Sequence, residues 1–211
     1  MDLLDLTKYV DGLVPPRAAE LVKMEEIAAK SNFPIIGPGA GQLCYLMTRL
    51  IGARSVFELG SGYGYSTAWF ARAVKENGGG VVYHTVWDEA LSARARKHLD
   101  TLGLSDVVQF HVGEAVKALR ATDGPFDVLF CDIDKADYPA ALHVMRSRLR
   151  PGGLLITDNL LWSGRIFDES NQTKEAEGIR EFTRLVMEDD GWTATVVPIR
   201  DGVLVARRNE D

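Results

Sequence analysis

Apolar residues recur at three- and four-residue intervals from Leu13 to Ser31, following the pair Pro15-Pro16. This spacing predicts an amphipathic helix with a proline start. The stretch from Asn32 to Gly41, rich in Gly and Pro, interrupts it, and a second helix is predicted from Ala40 to Ile51. Beyond that point the pattern changes, with short apolar runs alternating with helical stretches. Strands are expected over 55–60, 80–87, 107–112, 126–133 and 152–159, separated by helices at Tyr65–Lys75, Glu89–Leu102, Glu114–Arg120 and Ala136–Leu149. Strands spaced by crossover helices form a parallel sheet covered on both faces, an α/β fold. A helix at Lys174–Asp189 leads to two β-like runs, 192–199 and 202–208, joined by the tight sequence Arg200-Asp201-Gly202, so the sheet should end in an antiparallel hairpin. Without a linker, repeat or low-complexity tract, residues 1–211 read as one domain, with 1–52 as an N-terminal helical addition.

Composition narrows the functional classes. With 46% apolar and 26% charged residues the chain is globular, and its net charge of −6 disfavours a polyanionic ligand such as nucleic acid. The N-terminus carries acids where a secretory signal needs bases, and no apolar run approaches the roughly 18 residues of a membrane span. A cytoplasmic protein is expected. Cys44 and Cys131 lie in apolar segments without metal-type spacing and are expected as buried free thiols. His84, His98, His111 and His143 are scattered and receive no catalytic role, and the run Glu188-Asp189-Asp190 reads as a solvated helix end.

Two constellations carry chemistry. The first strand ends in Glu58-Leu-Gly60-Ser-Gly62-Tyr-Gly64-Tyr-Ser66 and runs at once into a helix. Glycines there let the backbone turn sharply and present amide groups to a ligand. The third glycine comes one residue too early for the dinucleotide fingerprint G-x-G-x-x-G, which speaks against a nicotinamide oxidoreductase. The fourth strand ends in Asp132-Ile-Asp134-Lys135 and the fifth in Asp158-Asn159. Ends of parallel strands line up on one edge, so Asp132, Asp158 and Asn159 can meet above it. Three oxygen donors without sulfur or histidine suit a hard cation such as Mg²⁺ or Ca²⁺. The competing reading is that these residues cap the helices after their strands.

The order F-E-L-G-S-G-Y-G-Y-S-T, F-D-V-L-F-C-D-I-D-K-A-D-Y, L-R-P-G-G-L-L-I-T-D-N-L-L-W-S-G and P-I-R-D-G-V-L-V-A, spanning about Phe33 to Arg207, resembles the cation-dependent O-methyltransferases. That family includes catechol and caffeoyl-coenzyme A O-methyltransferases. The resemblance implies a Rossmann-like class I methyltransferase fold with a seven-stranded, mostly parallel sheet. It implies S-adenosylmethionine over the first two strand ends and a divalent cation, Mg²⁺ with Ca²⁺ or Mn²⁺ as alternatives, held by Asp132, Asp158 and Asn159. By the same match Lys135 is the catalytic lysine. Glu58, Gly60, Gly62 and Ser66 fall on the cofactor motif, Asp132 borders it, and Ala115 falls where the backbone passes the adenine. Bacterial relatives form dimers through their N-terminal helices, so a homodimer is expected.

One position departs from the family pattern. The acid that usually ends the second strand and grips the ribose hydroxyls is Val86 here, with Asp88 two residues on. Either Asp88 reaches the ribose or the cofactor is held less tightly. Trp87 lies against the adenine or simply packs, and Trp162 and Arg165 either line the acceptor pocket or pack within their loop.

The implied reaction has a clear physical logic. A phenol with a pKa of about 10 is a poor nucleophile at neutral pH. A divalent cation stabilises the oxyanion and orients a vicinal diol, while Lys135 takes the proton or steadies the anion. The acceptor is then a small hydroxylated aromatic. Rival readings are methylation of a hydroxylated uridine in transfer RNA, which a basic patch larger than Arg94-Ala-Arg96-Lys97 would favour, and a non-catalytic binding protein on the same fold.

Overall fold

The computed structural model describes residues 3–210. Three helices come first: α1 (Leu3–Leu13), α2 (Ala19–Ser31) and α3 (Gly37–Leu50). Strands and helices then alternate as β1 (Ser55–Leu59), α4 (Tyr65–Glu76), β2 (Val81–Val86), α5 (Glu89–Thr101), β3 (Val108–Val112), α6 (Ala115–Ala121), β4 (Phe126–Cys131), α7 (Tyr138–Arg148) and β5 (Leu149–Thr157). The chain closes with α8 (Lys174–Met187), β6 (Trp192–Val197) and β7 (Val203–Arg208). The seven strands form one sheet in the order β3-β2-β1-β4-β5-β7-β6, in which only the pairings of β7 are antiparallel. This is the fold expected from the alternation of the sequence.

Each face of the sheet buries its own core. One is closed by α2, α3 and α4, with Met24, Cys44, Trp69 and Phe70 packed on Val56, Val82 and Phe130. The other is closed by α6, α7 and α8, with Leu119, Tyr138, Met145 and Phe182 packed on Phe57, Leu129 and Leu155. Strands buried on both faces read as continuous apolar runs, which is why the periodicity located β1 and β4 well. Both cysteines are buried and free, as expected. Among the described residues no helix is long and apolar enough to cross a membrane.

Four features differ from expectation. Helix α1 precedes the proline pair and was not anticipated; it is short, and it docks by Asp11, whose Oδ1 accepts the Gly39 amide at 2.9 Å. Helix α3 begins at Gly37 and not at Ala40, because Pro38 occupies the first turn, where a helix has no use for the missing amide. Helix α7 begins at Tyr138 and not at Ala136, since residues 135–137 form a tighter turn capped by the Asp134 side chain. Strand β5 begins at Leu149, earlier than expected, and its pairing with β4 shifts register between Phe126 and Val128.

Candidate active site

The strand order reverses between β1 and β4, and at such a switch point the loops leaving neighbouring strands part and open a crevice. The Gly60–Gly64 turn leaves β1 there, and the loop carrying Asp132 leaves β4 beside it. The Asp132 amide donates to the Leu59 carbonyl at 2.8 Å, which locks the two loops together. Gly60 is required at this crossing. Its φ is +89°, and a Cβ would lie 2.3 Å from the Asp132 carbonyl oxygen.

Register brings the next residues in. Cys131 pairs with Thr157 across β4 and β5, and the Asp158 amide donates to the Cys131 carbonyl at 3.1 Å. Asp132 and Asp158 therefore emerge side by side. Lys135 curls back from the turn after β4, its Nζ donating to Asp132 Oδ1 at 2.9 Å and to the Ile133 carbonyl at 3.2 Å, and it lies over the Tyr138 ring. Helix α8 presses on that turn through Gly178, where a Cβ would meet the Lys135 carbonyl oxygen at 2.3 Å. The Tyr138 hydroxyl donates to the Asp158 carbonyl at 3.0 Å, fixing the second loop from below.

These groups open onto a cavity of about 260 Å³. Gly60, Gly62 and Ser66 line it from the glycine turn, and Asp132, Lys135, Asp158 and Asn159 from the β4 and β5 loops. The opposite wall comes from the N-terminal addition through Phe33 and Ile36. Helix α2 anchors the glycine turn as well: the Tyr63 hydroxyl donates to the Met24 carbonyl at 2.8 Å, and that of Tyr65 to Glu25 Oε1 at 2.8 Å.

Electrostatics divide the acids. Asp158 is 2% exposed, its Oδ1 meets no hydrogen-bond donor, and burial together with the neighbouring Asp132 charge pushes its carboxyl well above the ordinary range, opposed by Arg200. Glu58 is fully buried beneath the glycine turn and does not reach the cavity wall. Neither of its oxygens accepts a well-formed hydrogen bond; the hydroxyls of Ser66, Thr67 and Ser61 moderate the effect of burial, which still raises its pKa to about 7. On the adjacent strand His84 is buried, shares a 3.1 Å contact with Thr67 and is lowered to about 3, so it is neutral and structural.

The donor set fits a hard cation. Among the described residues there is no cluster of three His, Cys, Asp or Glu side chains, so the set consists of two carboxylates and one amide. Asn159 sits at a φ of +64° and donates its Nδ2 to Asp201 Oδ2 at 3.1 Å, which leaves its carbonyl oxygen free. That oxygen and the partnerless Asp158 Oδ1 are the atoms an oxygen-seeking cation requires.

Other expected residues lie elsewhere. Asp88 caps α5, its Oδ1 accepting the amides of Ala90 at 2.6 Å and Leu91 at 3.1 Å, and it does not line the cavity. Val86 is buried and apolar, and Ala115 is buried at the start of α6. Trp87 is 73% exposed, so ordinary packing does not explain it. Trp162 packs against the second core with the Arg165 guanidinium over its ring at 4.9 Å, and neither lines the cavity. Asp189 is not simply solvated, because it pairs with Arg146. Arg200 and Asp201, which the sequence presented only as turn residues, prove to belong to the site; a charged pair in place of the usual Asn-Gly turn was the available signal.

A seven-stranded sheet of this order, with a glycine turn at its switch point, is the fold of the Rossmann-like methyltransferases. Comparison with known proteins gives the particular family: an O-methyltransferase family profile matches residues 15–209, and the chain belongs to that family of enzymes. A catechol O-methyltransferase of Niastella koreensis is 30% identical over 195 residues, covering 90% of this chain and 87% of its own. The O-methyltransferase of Bacillus cereus, solved in complex with SAH, superposes with a TM-score of 0.87 at 28% identity, covering 97% of each chain. The O-methyltransferase TomG of Streptomyces achromogenes, solved with SAM, gives 0.86 at 26% identity, covering 98% of this chain and 96% of its own.

Proposed function

We propose that this enzyme transfers a methyl group from S-adenosylmethionine to a hydroxyl of a small catechol-like aromatic, assisted by a divalent cation. The observation that carries the reading is the meeting of Asp132, Lys135, Asp158 and Asn159 beside the glycine turn in one cavity. Bound there, S-adenosylmethionine supplies an electrophilic methyl group and a divalent cation supplies charge that favours the phenolate.

The chain's own residues do the rest. Gly60, Gly62 and Ser66 let the cofactor approach the backbone of the turn. Asp132, Asp158 and Asn159 would hold the cation through their side-chain oxygens, and the cation would supply charge beside the acceptor hydroxyl. Lys135 stands within reach of the same point without being a ligand, where its Nζ takes the hydroxyl proton or steadies the anion. The O–CH₃ bond forms as the S–CH₃ bond breaks, leaving S-adenosylhomocysteine. Phe33 and Ile36 give the cavity an apolar wall against which an aromatic acceptor packs.

Transfer RNA is a poorer fit, since the net charge of −6 opposes a polyanionic acceptor. Exposed apolar residues Tyr9 and Leu13 on α1, and Leu46 and Leu50 on α3, support a homodimer through the N-terminal helices. The deciding experiment is methylation of catechol with labelled S-adenosylmethionine, with added Mg²⁺ and with excess chelator. Turnover with Mg²⁺ that chelator abolishes is expected; undiminished turnover in chelator would remove the cation from the reading.

A further inference from the structure

The hairpin turn between β6 and β7 places a positive charge on the candidate cation site. Arg200 Nη1 donates to Asp158 Oδ2 at 2.8 Å, and the arginine side chain is 26% exposed against 2% for its partner. The arrangement is held from the backbone. The Leu160 amide donates to the Gly202 carbonyl at 2.9 Å and the Leu161 amide to the Asp201 carbonyl at 2.8 Å, while the Asp201 carboxylate takes the Asn159 side-chain amide and the Ser163 amide. Arg200 itself sits at a φ of +51°, a conformation that costs a non-glycine residue energy and persists only where its surroundings enforce it. The stem of its side chain lies beside Gly37 at the start of α3.

Both carboxylates of the set are thus already compensated from within the chain, Asp132 by Lys135 and Asp158 by Arg200. A divalent cation arriving at Asp158 meets a ligand with one oxygen given to a guanidinium, and a like charge a few ångströms away.

Resting on the cation-assisted reading above, we propose that Arg200 is an internal rival of the divalent cation that sets the affinity of the site. In the metal-free protein it stands in for the missing charge and keeps Asp158 in place. On loading, the guanidinium yields Asp158 Oδ2 and swings toward the open side of the cavity, while the backbone turn stays fixed by Asp201. The site consequently binds its cation weakly and reversibly, by the action of a residue that is not a ligand.

The test is direct Mn²⁺ titration, reading free Mn²⁺ by electron paramagnetic resonance without cofactor or acceptor. Every variant is titrated at the same pH of 8.5. Removing a unit charge about 6 Å from a divalent ion is worth roughly tenfold in affinity even at the dielectric constant of water. Arg200→Met should therefore bind Mn²⁺ about tenfold more tightly than wild type, whereas Arg200→Lys, which keeps the charge, should stay near wild type. Arg200→Gln, neutral but still able to donate to Asp158, serves the same purpose if the methionine variant fails to fold, as judged by circular dichroism. Equal or weaker binding in the neutral variants, with Mn²⁺ bound by wild type, overturns the inference and leaves the proposed function standing. Absence of Mn²⁺ binding in wild type and variants alike overturns both. Binding only in the neutral variants supports the inference in its strongest form.

Discussion

Glu58→Gln tests the idea that the first strand carries a buried charge the folded protein does not tolerate well. The carboxyl is fully buried without a well-formed hydrogen bond, and its pKa lies at about 7 in the folded state against 4.5 for an exposed glutamate. The folded state therefore binds a proton that the unfolded state has released between these values. Because the folded pKa is raised, the stability this group contributes is fully present below pH 4.5 and is lost as pH rises through about 7. Moving from 4.5 to about 7 corresponds to about 3 kcal/mol lost across that window. Glutamine has nearly the same shape and cannot ionise, so the variant lacks this pH-dependent loss. Urea unfolding of both proteins at pH 4.5 and pH 8.5 isolates the effect, since His84 and Asp158 titrate alike in both and cancel in the comparison. The variant should gain about 3 kcal/mol on wild type between the two pH values, equivalent to about 6–12 °C in melting temperature for a domain of this size. Parallel pH dependence in the two proteins would show that the Glu58 carboxyl ionises normally in the folded state, and would refute the reasoning.

Three further predictions follow from the site. Lys135→Met should lower single-turnover methyl transfer by about 10²–10⁴-fold while leaving cofactor affinity unchanged; equal rates with saturating cofactor, Mg²⁺ and catechol would remove the lysine from the chemistry. Asp88→Ala should destabilise the fold by about 1 kcal/mol, through loss of its cap on α5, and leave cofactor affinity unchanged in calorimetry. A weakening of about 1.5–3 kcal/mol in cofactor binding would instead give Asp88 the ribose contact that Val86 cannot make. Gly60→Ala should abolish cofactor binding and lower the melting temperature, because a Cβ there collides with the Asp132 backbone; wild-type affinity would mean that the two loops part without cost.

Much of this was legible in the residues. The alternation of apolar runs with helical stretches determined an α/β sheet, because strands buried on both faces are continuously apolar and long enough to recognise. Asp132, Lys135, Asp158, Asn159 and the glycine turn could be named as candidates because they sit at strand ends, and strand ends of a parallel sheet share an edge whatever the details of packing. Helix boundaries were less legible where local chemistry has two readings: Gly37-Pro38 reads as a break yet opens α3. The sequence could not tell whether Asp88 was a helix cap or a ribose ligand, since both roles ask for the same carboxylate; only the positions of the Ala90 and Leu91 amides show that its Oδ1 caps α5. Nor could it bring Arg200 and Asp201 to the site. They lie about forty residues beyond Asp158 in the chain, and only the antiparallel return of β7 beside β5 sets their turn against Asp158 and Asn159. Local pattern determines which elements form, but the neighbours of a charge across the sheet are a property of register, and register is decided by how the two faces pack.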